Sequence, residues 1–494
     1  MRRISLALLL FAAVITAASA RQKNSPDAFG SVREFIKQQL TERRLPSIAV
    51  AVARDGQIIW EEAFGWADTE KRVPATSHTM YSLASISKPI TATGLMILKE
   101  RGRIELDRPI NEYLGEAKIA VRVGQPAEAT VRRVANHTAG LPLHYQFFYD
   151  DESYRAPSRD ETIRRYGNCV TAPGERYQYS NLGYGILDHV ITRVSGRSYA
   201  DFMREEVFLP LGLTHTSVNI GPGLEKYQAI RYSGDGTPIP FYDFDHPGGS
   251  AVYASAHDLV RFGMFHLKAH LSEQKAILKD ETIDEMQRAT VDMNPNTGYG
   301  IGWATTEYSG GRRRVEHSGG MGGVSTLLRL YPAEKIAIVV LGNASSSLPG
   351  QVMDQIVAVL APETARSPGA QNQAPPGQDF KPSDALLGAW QGKVHTYKGE
   401  IGFRLLFQPD GDVHAKLGSQ LITLLSRPQF KDGYLSGSFA GDIGTEDANR
   451  TRYLLQLSLK LRGDVLNGAM TAQSVAMGRR VGNALTHWVE LKKE

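Results

Sequence analysis

Cysteine is almost absent: Cys169 stands alone among 494 residues. That excludes a disulfide within the chain, thiol–disulfide exchange between its own residues and a thiolate cage for zinc. Cys169 reads as a small buried side chain. Excess charge of one sign is lacking too. Lysine and arginine number 56 against 52 aspartate and glutamate, a formal charge of +4. Such a balance leaves no broad electrostatic footprint, and no nucleic-acid partner is expected. Arg312-Arg313-Arg314, after Gly310-Gly311, reads as a solvated hairpin tip. Long apolar runs are missing: Ile4 to Ile15 falls short of the roughly 20 residues of a membrane span, so no stable span is expected. The chain has no Gly-x-Ser-x-Gly elbow, no His-Glu-x-x-His pair and no Gly-rich phosphate loop. Neither a metal nor any other cofactor is expected, and nothing in the sequence specifies an oligomeric state.

What is present is core material. Hydrophobic residues make up 42%, and the length suits two or three domains. Arg2 and Arg3 precede the apolar stretch, and Ala18-Ser19-Ala20 follows it. This is the pattern of a signal peptide over residues 1–20, cleaved near Ala20. The expectation is an exported protein, periplasmic or secreted, with an uncleaved anchor as the alternative. Cleavage removes two arginines and no acid, which lowers the formal charge to +2. Export without disulfides fits a bacterial periplasmic or secreted enzyme better than a small disulfide-built module.

Apolar spacing predicts a helix over 27–43, then two strands, Ser47 to Ala53 and Gln57 to Ala63, around an Asp55-Gly56 turn. Helices are predicted from Ser85 to Glu100, from Asn181 to Ser195 with Gly196 as C-cap, and from Ala254 to Leu267. Strands are expected at Gly298 to Thr305, Arg314 to His317, Val324 to Tyr331 and Ile336 to Leu341. The N- and C-terminal strands of this first region, 21–362, are expected to meet in one antiparallel sheet flanked by helices, beside a helical subdomain. Residues 363–383, rich in Pro, Gln, Ala and Ser, read as a linker. Beyond it, Ile401, Phe403, Leu405 and Phe407 alternate, as do Tyr453, Leu455, Leu457, Leu459 and Leu461. Short strands and turns over 384–494 predict an antiparallel barrel or sandwich, with a hairpin turn at Arg462-Gly463-Asp464. Gly388-x-Trp390-x-Gly392 resembles the opening of lipocalin-like barrels.

Chemistry centres on Ser85-Ile86-Ser87-Lys88. Three residues apart on a helix, serine and lysine share a face, and a helix N-terminus favours the negative charge of an attacking serine. Pro89 falls in the first turn, where its missing N–H costs little. A lysine that takes a proton near neutrality needs its pKa lowered by about three units, roughly 4 kcal/mol, so the site must be desolvated or near another cation. Tyr179-Ser180-Asn181 and His317-Ser318-Gly319 follow at intervals of 94 and 138 residues. Each pattern has a double elsewhere: Ser272 with Lys275, Tyr166 with Asn168, and His246 with Gly248. Order and context single out the first set.

With these motifs in this order, the chain resembles the serine β-lactamase and penicillin-binding-protein superfamily, in its class C-like and esterase- or DD-peptidase-like branch. The likeness extends over YSLASISKP from Tyr81, LKERGRIELDRPINEYL from Leu98, TVRRVANHTAGLP from Thr130, PGERYQYSNLG from Pro173, FLPLGLTHT from Phe208, and the segments 248–262 and 298–343. It implies an α+β catalytic domain and an acyl-enzyme on Ser85. Lys88 and Tyr179 would supply acid–base catalysis, titrating as a unit. Asn181 would bind the substrate amide or the lysine; capping the helix it opens is the alternative role, compatible with the first. The backbone N–H groups of Ser85 and Gly320 would form the oxyanion hole, on the strand bearing His317 and Gly319. Asn136-His137-Thr138 is implied to be a structural turn, and His257 and Asp258 to start a helix. Where β-lactamases of this type carry Lys-Thr-Gly, this chain carries His317, mostly neutral above about pH 6.5. That weakens a carboxylate anchor and favours ester, amide or D-amino-acid peptide substrates, small molecules or peptides, over β-lactams. A class C-type β-lactamase, or a penicillin-recognising binding or sensing protein with little turnover, are the alternatives.

Overall fold

The structure, a computed structural model, describes residues 27–308, 312–361, 380–474 and 480–494. The signal-peptide segment, most of the linker and the glycines before Arg312 lie outside the described residues.

Helix α1 (Gly30–Arg43) precedes strands β1 (Ser47–Arg54), β2 (Gln57–Asp68) and β3 (Val73–Pro74). Helices α2 (Ser87–Glu100), α3 (Asn181–Ser195), α4 (Pro247–Ser250) and α5 (Ala256–His266) occupy the middle of the chain, among short strand pairs. Strands β4 (Val291–Asn294), β5 (Thr297–Tyr299), β6 (Ala304–Glu307), β7 (Arg313–Met321), β8 (Val324–Tyr331) and β9 (Ile336–Gly342) then lead to helix α6 (Leu348–Leu360). All nine strands form one sheet in the order β4-β5-β6-β7-β8-β9-β1-β2-β3. The two chain ends of this region meet as expected: β1 pairs antiparallel with β9, from Ile48 opposite Gly342 to Arg54 opposite Ile336.

Burial on both faces explains why β1 is apolar without alternation. Ile48, Val50 and Val52 pack with Ile336, Ile338 and Val340 against α1 and α6. Ala49, Ala51 and Ala53 face the other way with Ala337, Val339 and Leu341, toward α5 and α2. Small residues on that face admit close helix approach: a Cβ on Gly263 of α5 would lie 3.1 Å from Ala337 Cβ.

Three expectations need correction. The α-helix carrying Lys88 begins at Ser87, and Ser85 sits in a preceding 3-10 turn, Ala84–Ile86. Residues 298–305 form two short strands with a turn between them. That turn packs on α2, where a Cβ at Gly302 (φ +83) would meet Pro89 Cα at 2.9 Å, so close approach overrides strand propensity. Arg314 is not solvated; it is 4% exposed, held by β6 and by Glu316 on its own strand.

Residues 388–493 form nine antiparallel strands: β10 (Gly388–Thr396), β11 (Gly399–Phe407), β12 (Val413–Leu417), β13 (Thr423–Leu424), β14 (Ser426–Lys431), β15 (Tyr434–Phe439), β16 (Tyr453–Arg462), β17 (Val465–Ser474) and β18 (Ala484–Lys493). Their order is β13-β12-β11-β10-β18-β17-β16-β15-β14. The two edge strands are consecutive in sequence, so the sheet curls into a nearly closed barrel. Trp390, Phe403, Leu405, Phe439, Leu457 and Met470 are buried in its core, and Trp390 Nε1–H donates to Leu386 O at 2.8 Å. Gly463 and Asp464 make the β16–β17 turn. Among the described residues, no helix is long and apolar enough to cross a membrane.

Candidate active site

Ser85, Lys88, Tyr179, Asn181, His317, Gly319 and Gly320 converge beside one cavity of about 670 Å³, which Ser85, Tyr179, His317 and Gly320 line directly. The preceding residue, Ala84, has a left-handed backbone (φ +48), an unfavourable geometry for a residue with a Cβ that the tight turn enforces. Ser85 Oγ is thereby presented beyond the end of α2.

Lys88 is fully buried. Its Nζ lies 3.1 Å from Ser85 Oγ, 2.8 Å from Asn181 Oδ1 and 3.0 Å from Gly249 O. Burial holds the amine well below the usual lysine range. A neutral amine has two N–H bonds and one lone pair. The two carbonyl oxygens accept the two N–H bonds, and the lone pair is left for the Ser85 hydroxyl. Tyr179 stands beside the same serine, with its ring centre 4.7 Å from Lys88 Nζ. Burial raises the phenol, and the hydrogen bond with Ser85 offsets this in part. Burial thus disfavours charge on both the amine and the phenol.

Ser180, not Asn181, caps α3: its side chain accepts from Gly183 N at 3.0 Å. That frees Asn181 Oδ1 for Lys88. His137, in the left-handed turn after Val131–Ala135, braces the tyrosine loop. Its Nδ1 accepts from Ser180 N at 3.1 Å and its ring lies 4.5 Å from that of Tyr179. Asp258 does lie in the first turn of a helix, α5.

On β7, Gly319 lies against the nucleophile turn, where a Cβ would fall 2.0 Å from Leu83 O and 2.3 Å from Thr326 Oγ1. Only glycine admits this approach, and it sets β7 against the turn that carries Ser85. A Cβ on Gly320 would meet nothing within 4 Å, so its other side is open. His317 is 7% exposed. Its Nδ1–H donates to Ser318 O at 2.8 Å, because a carbonyl can only accept, and Nε2 accepts from Tyr299 O–H at 3.1 Å. Burial lowers its pKa to about 3. His317 is a neutral imidazole with both nitrogens committed.

Several site residues have no signal in the motifs. Gly249 lies inside the 248–262 segment of the resemblance but is unmarked by residue type. Tyr299 stands between Gly298 and Gly300, outside any of the motifs. Arg314 and Arg329 line the cavity through the outer face of β7 and β8, and period-two alternation from Ser318 and Gly320 back to Glu316 and Arg314 was available to find one of them. Both arginines are held by Glu316, at 2.9 Å and 2.7 Å, and Arg329 faces Asp354 at 3.6 Å. Within the wall one carboxylate serves both guanidiniums, and Asp354 meets Arg329 from α6. Of the duplicate motifs, Tyr166 is buried toward the barrel, whereas His246 lies behind Gly249, close to Lys88, with its ring hydrogen-bonded to Asp245. Among the described residues, no three His, Cys, Asp or Glu side chains are arranged to hold a metal ion.

A serine in a tight turn and a buried lysine in the first turn of the helix that follows, joined by a tyrosine loop and a glycine-bearing strand on an antiparallel sheet, define the serine β-lactamase and penicillin-binding-protein superfamily, whose members are serine hydrolases. The Beta-lactamase family profile matches residues 32–362, and the chain belongs to that family. It is 27% identical to Penicillin-binding protein 4* of Bacillus subtilis (strain 168) over 334 residues, 62% of this chain and 70% of that protein. Protein flp of Staphylococcus aureus (strain MRSA252) is 24% identical over 335 residues, 67% of this chain and 66% of that protein. Among solved structures, SurE aligns over 93% of this chain and 99% of its own, with TM-score 0.62 and 22% identity. The octameric penicillin-binding protein homologue from Pyrococcus abyssi aligns over 94% and 99%, with TM-score 0.59 and 22% identity. A class C β-lactamase aligns over 69% and 97%, with TM-score 0.58 and 19% identity. At these identities the structural likenesses establish the fold.

Proposed function

We propose that the chain hydrolyses ester, amide or D-amino-acid peptide bonds through an acyl-enzyme on Ser85, with esters and peptides favoured over β-lactams. The observation that carries this reading is the set of three oxygens around Lys88 Nζ, two carbonyls and the Ser85 hydroxyl. With two carbonyl oxygens on its N–H bonds, the amine keeps its lone pair for the serine proton. As Ser85 Oγ attacks the substrate carbonyl carbon, its proton passes to Lys88, directly or through the Tyr179 hydroxyl. The Ser85 and Gly320 N–H groups receive the developing oxyanion. Tyr179 returns the proton to the leaving oxygen or nitrogen as the tetrahedral intermediate collapses. Water attacks the ester by the same route in reverse and releases Ser85.

Substrate preference rests on charge. A β-lactam presents a carboxylate that a lysine would anchor. Here the corresponding residue is a neutral imidazole, and the cavity arginines are engaged by Glu316. SurE, a neighbour in fold, is known in complex with D-Leu, which supports keeping D-configured acyl groups in the substrate class. The test is turnover of a p-nitrophenyl ester, a D-Ala-D-Ala peptide and benzylpenicillin, with intact mass recorded after each. Ester or peptide turnover that vanishes in Ser85→Ala supports the proposal. A lasting stoichiometric penicillin adduct without turnover of any substrate would replace it with a binding or sensing protein. The pattern of residues 1–20 supports export. Expression in a bacterial host is expected to yield a mature N-terminus at Arg21, read by intact mass; retention of Met1 would refute it.

A further inference from the structure

Glu175 lies four residues before Tyr179 in the loop that carries it. Its carboxylate is gripped from the C-terminal barrel. Lys460 Nζ donates to Oε1 at 2.7 Å, Tyr434 O–H donates to Oε1 at 2.6 Å, and Arg462 forms an ion pair with Oε2. Burial alone would raise this carboxyl, but Lys460, Tyr434 and Arg462 bring it down to about 2. The next residue joins in: the Arg176 guanidinium sits 3.9 Å from the centre of the Tyr434 ring. On its other side the loop is tied to the turn at His137. Gly174 N donates to Thr138 O at 2.7 Å, and Gln178 N donates to His137 O at 2.8 Å. The barrel also reaches the end of β7. Any side chain at Gly322, two residues past Gly320, would meet Val481 Cγ2 at 2.2 Å, and Arg480 beside it pairs with Asp151 and Glu152.

We propose that the barrel is a working part of the active site: Tyr434, Lys460 and Arg462 are positioning residues that clamp Glu175 and so set Tyr179 against Ser85. The inference rests on the serine-hydrolase reading above. A reacting hydroxyl displaced by a fraction of an ångström slows proton transfer far more than it weakens substrate binding, so the loss falls on kcat.

The test measures p-nitrophenyl acetate hydrolysis by the full-length protein, with thermal unfolding recorded for each variant. Glu175→Gln is expected to lower kcat about tenfold while KM moves less than about twofold. Lys460→Met, 285 residues away in sequence, is expected to lower kcat about threefold alone and to add almost nothing in the Glu175→Gln background. Arg462→Lys, which keeps the charge, should retain most of the rate. A kcat within about twofold of the starting protein in folded Glu175→Gln, or strictly multiplicative losses in the double variant, overturns the clamp. Should Glu175→Gln fail to fold, Lys460→Met decides the matter, an unchanged kcat overturning the proposal. Ser85→Ala in the same assay separates the two ideas. Retained hydrolysis there overturns the reading of the site and the clamp with it. Lost hydrolysis there, with normal kcat in Glu175→Gln, overturns the clamp alone.

Discussion

Lys88 owes its reactivity to its surroundings. A lysine in water is protonated at neutral pH; here burial and two carbonyl acceptors leave an amine with a directed lone pair. In the proposed mechanism Lys88→Arg removes the base while keeping a long basic side chain, because a guanidinium does not deprotonate. Turnover should fall by about a thousandfold or more, with folding monitored by circular dichroism. Histidines carry the pH dependence of stability. Burial depresses His266 and His317 to about 3 and His487 to about 4. The unfolded chain protonates these near pH 6.5, so it binds protons that the folded chain refuses, and stability falls as pH drops below about 6.5. Asp188 acts in the opposite sense. Burial raises it to about 6, so its share is full at low pH and is lost as pH rises through 6. Three histidines outweigh one aspartate. Urea denaturation should report a loss on the order of a few kcal/mol between pH 7.5 and 5; flat stability over that window would contradict the assignment.

At the scale of elements, two glycines separate catalysis from stability. Gly319→Ala drives a methyl into Leu83 O and Thr326 Oγ1, which must push β7 away from the nucleophile turn. Its turnover should fall at least tenfold, roughly, beyond any effect explained by its melting temperature. Gly196, at φ +74 after α3, is a helix C-cap far from the chemistry. Gly196→Ala should cost about 1 kcal/mol in denaturant titration and leave kcat unchanged. Elements of this kind were legible in the sequence. The β1–β2 hairpin and α3 with its cap have their determinants within a few residues, and so does the alternation of β16. The break between β5 and β6 was not. Its strand-like residues are bent by packing on α2, a neighbour about 200 residues away in sequence.

For the whole molecule, the barrel and the catalytic region share buried polar contacts. The Tyr166 hydroxyl donates to Asp447, and Tyr145 and Ala484 exchange backbone hydrogen bonds at 3.1 and 2.9 Å. A chain ending at residue 383 leaves Tyr166 and its buried neighbours facing water. It should unfold at lower temperature and aggregate on heating, measured by scanning calorimetry with light scattering; a melting temperature equal to that of the full chain would contradict this.

By itself the sequence determined the order of strands and helices, the one-face placement of Ser85 and Lys88, and the family. Each depends on periodicity and spacing along the chain. Tertiary structure decided what those residues are worth chemically. It brought Asn181 and Gly249 from 93 and 161 residues away onto Lys88 Nζ. It buried His317 against Tyr299 as a neutral imidazole, turned Arg314 from a solvated tip into a cavity wall, and placed the barrel's cations on the tyrosine loop. Proton affinity follows burial and nearby charge, and both come from residues far apart in sequence.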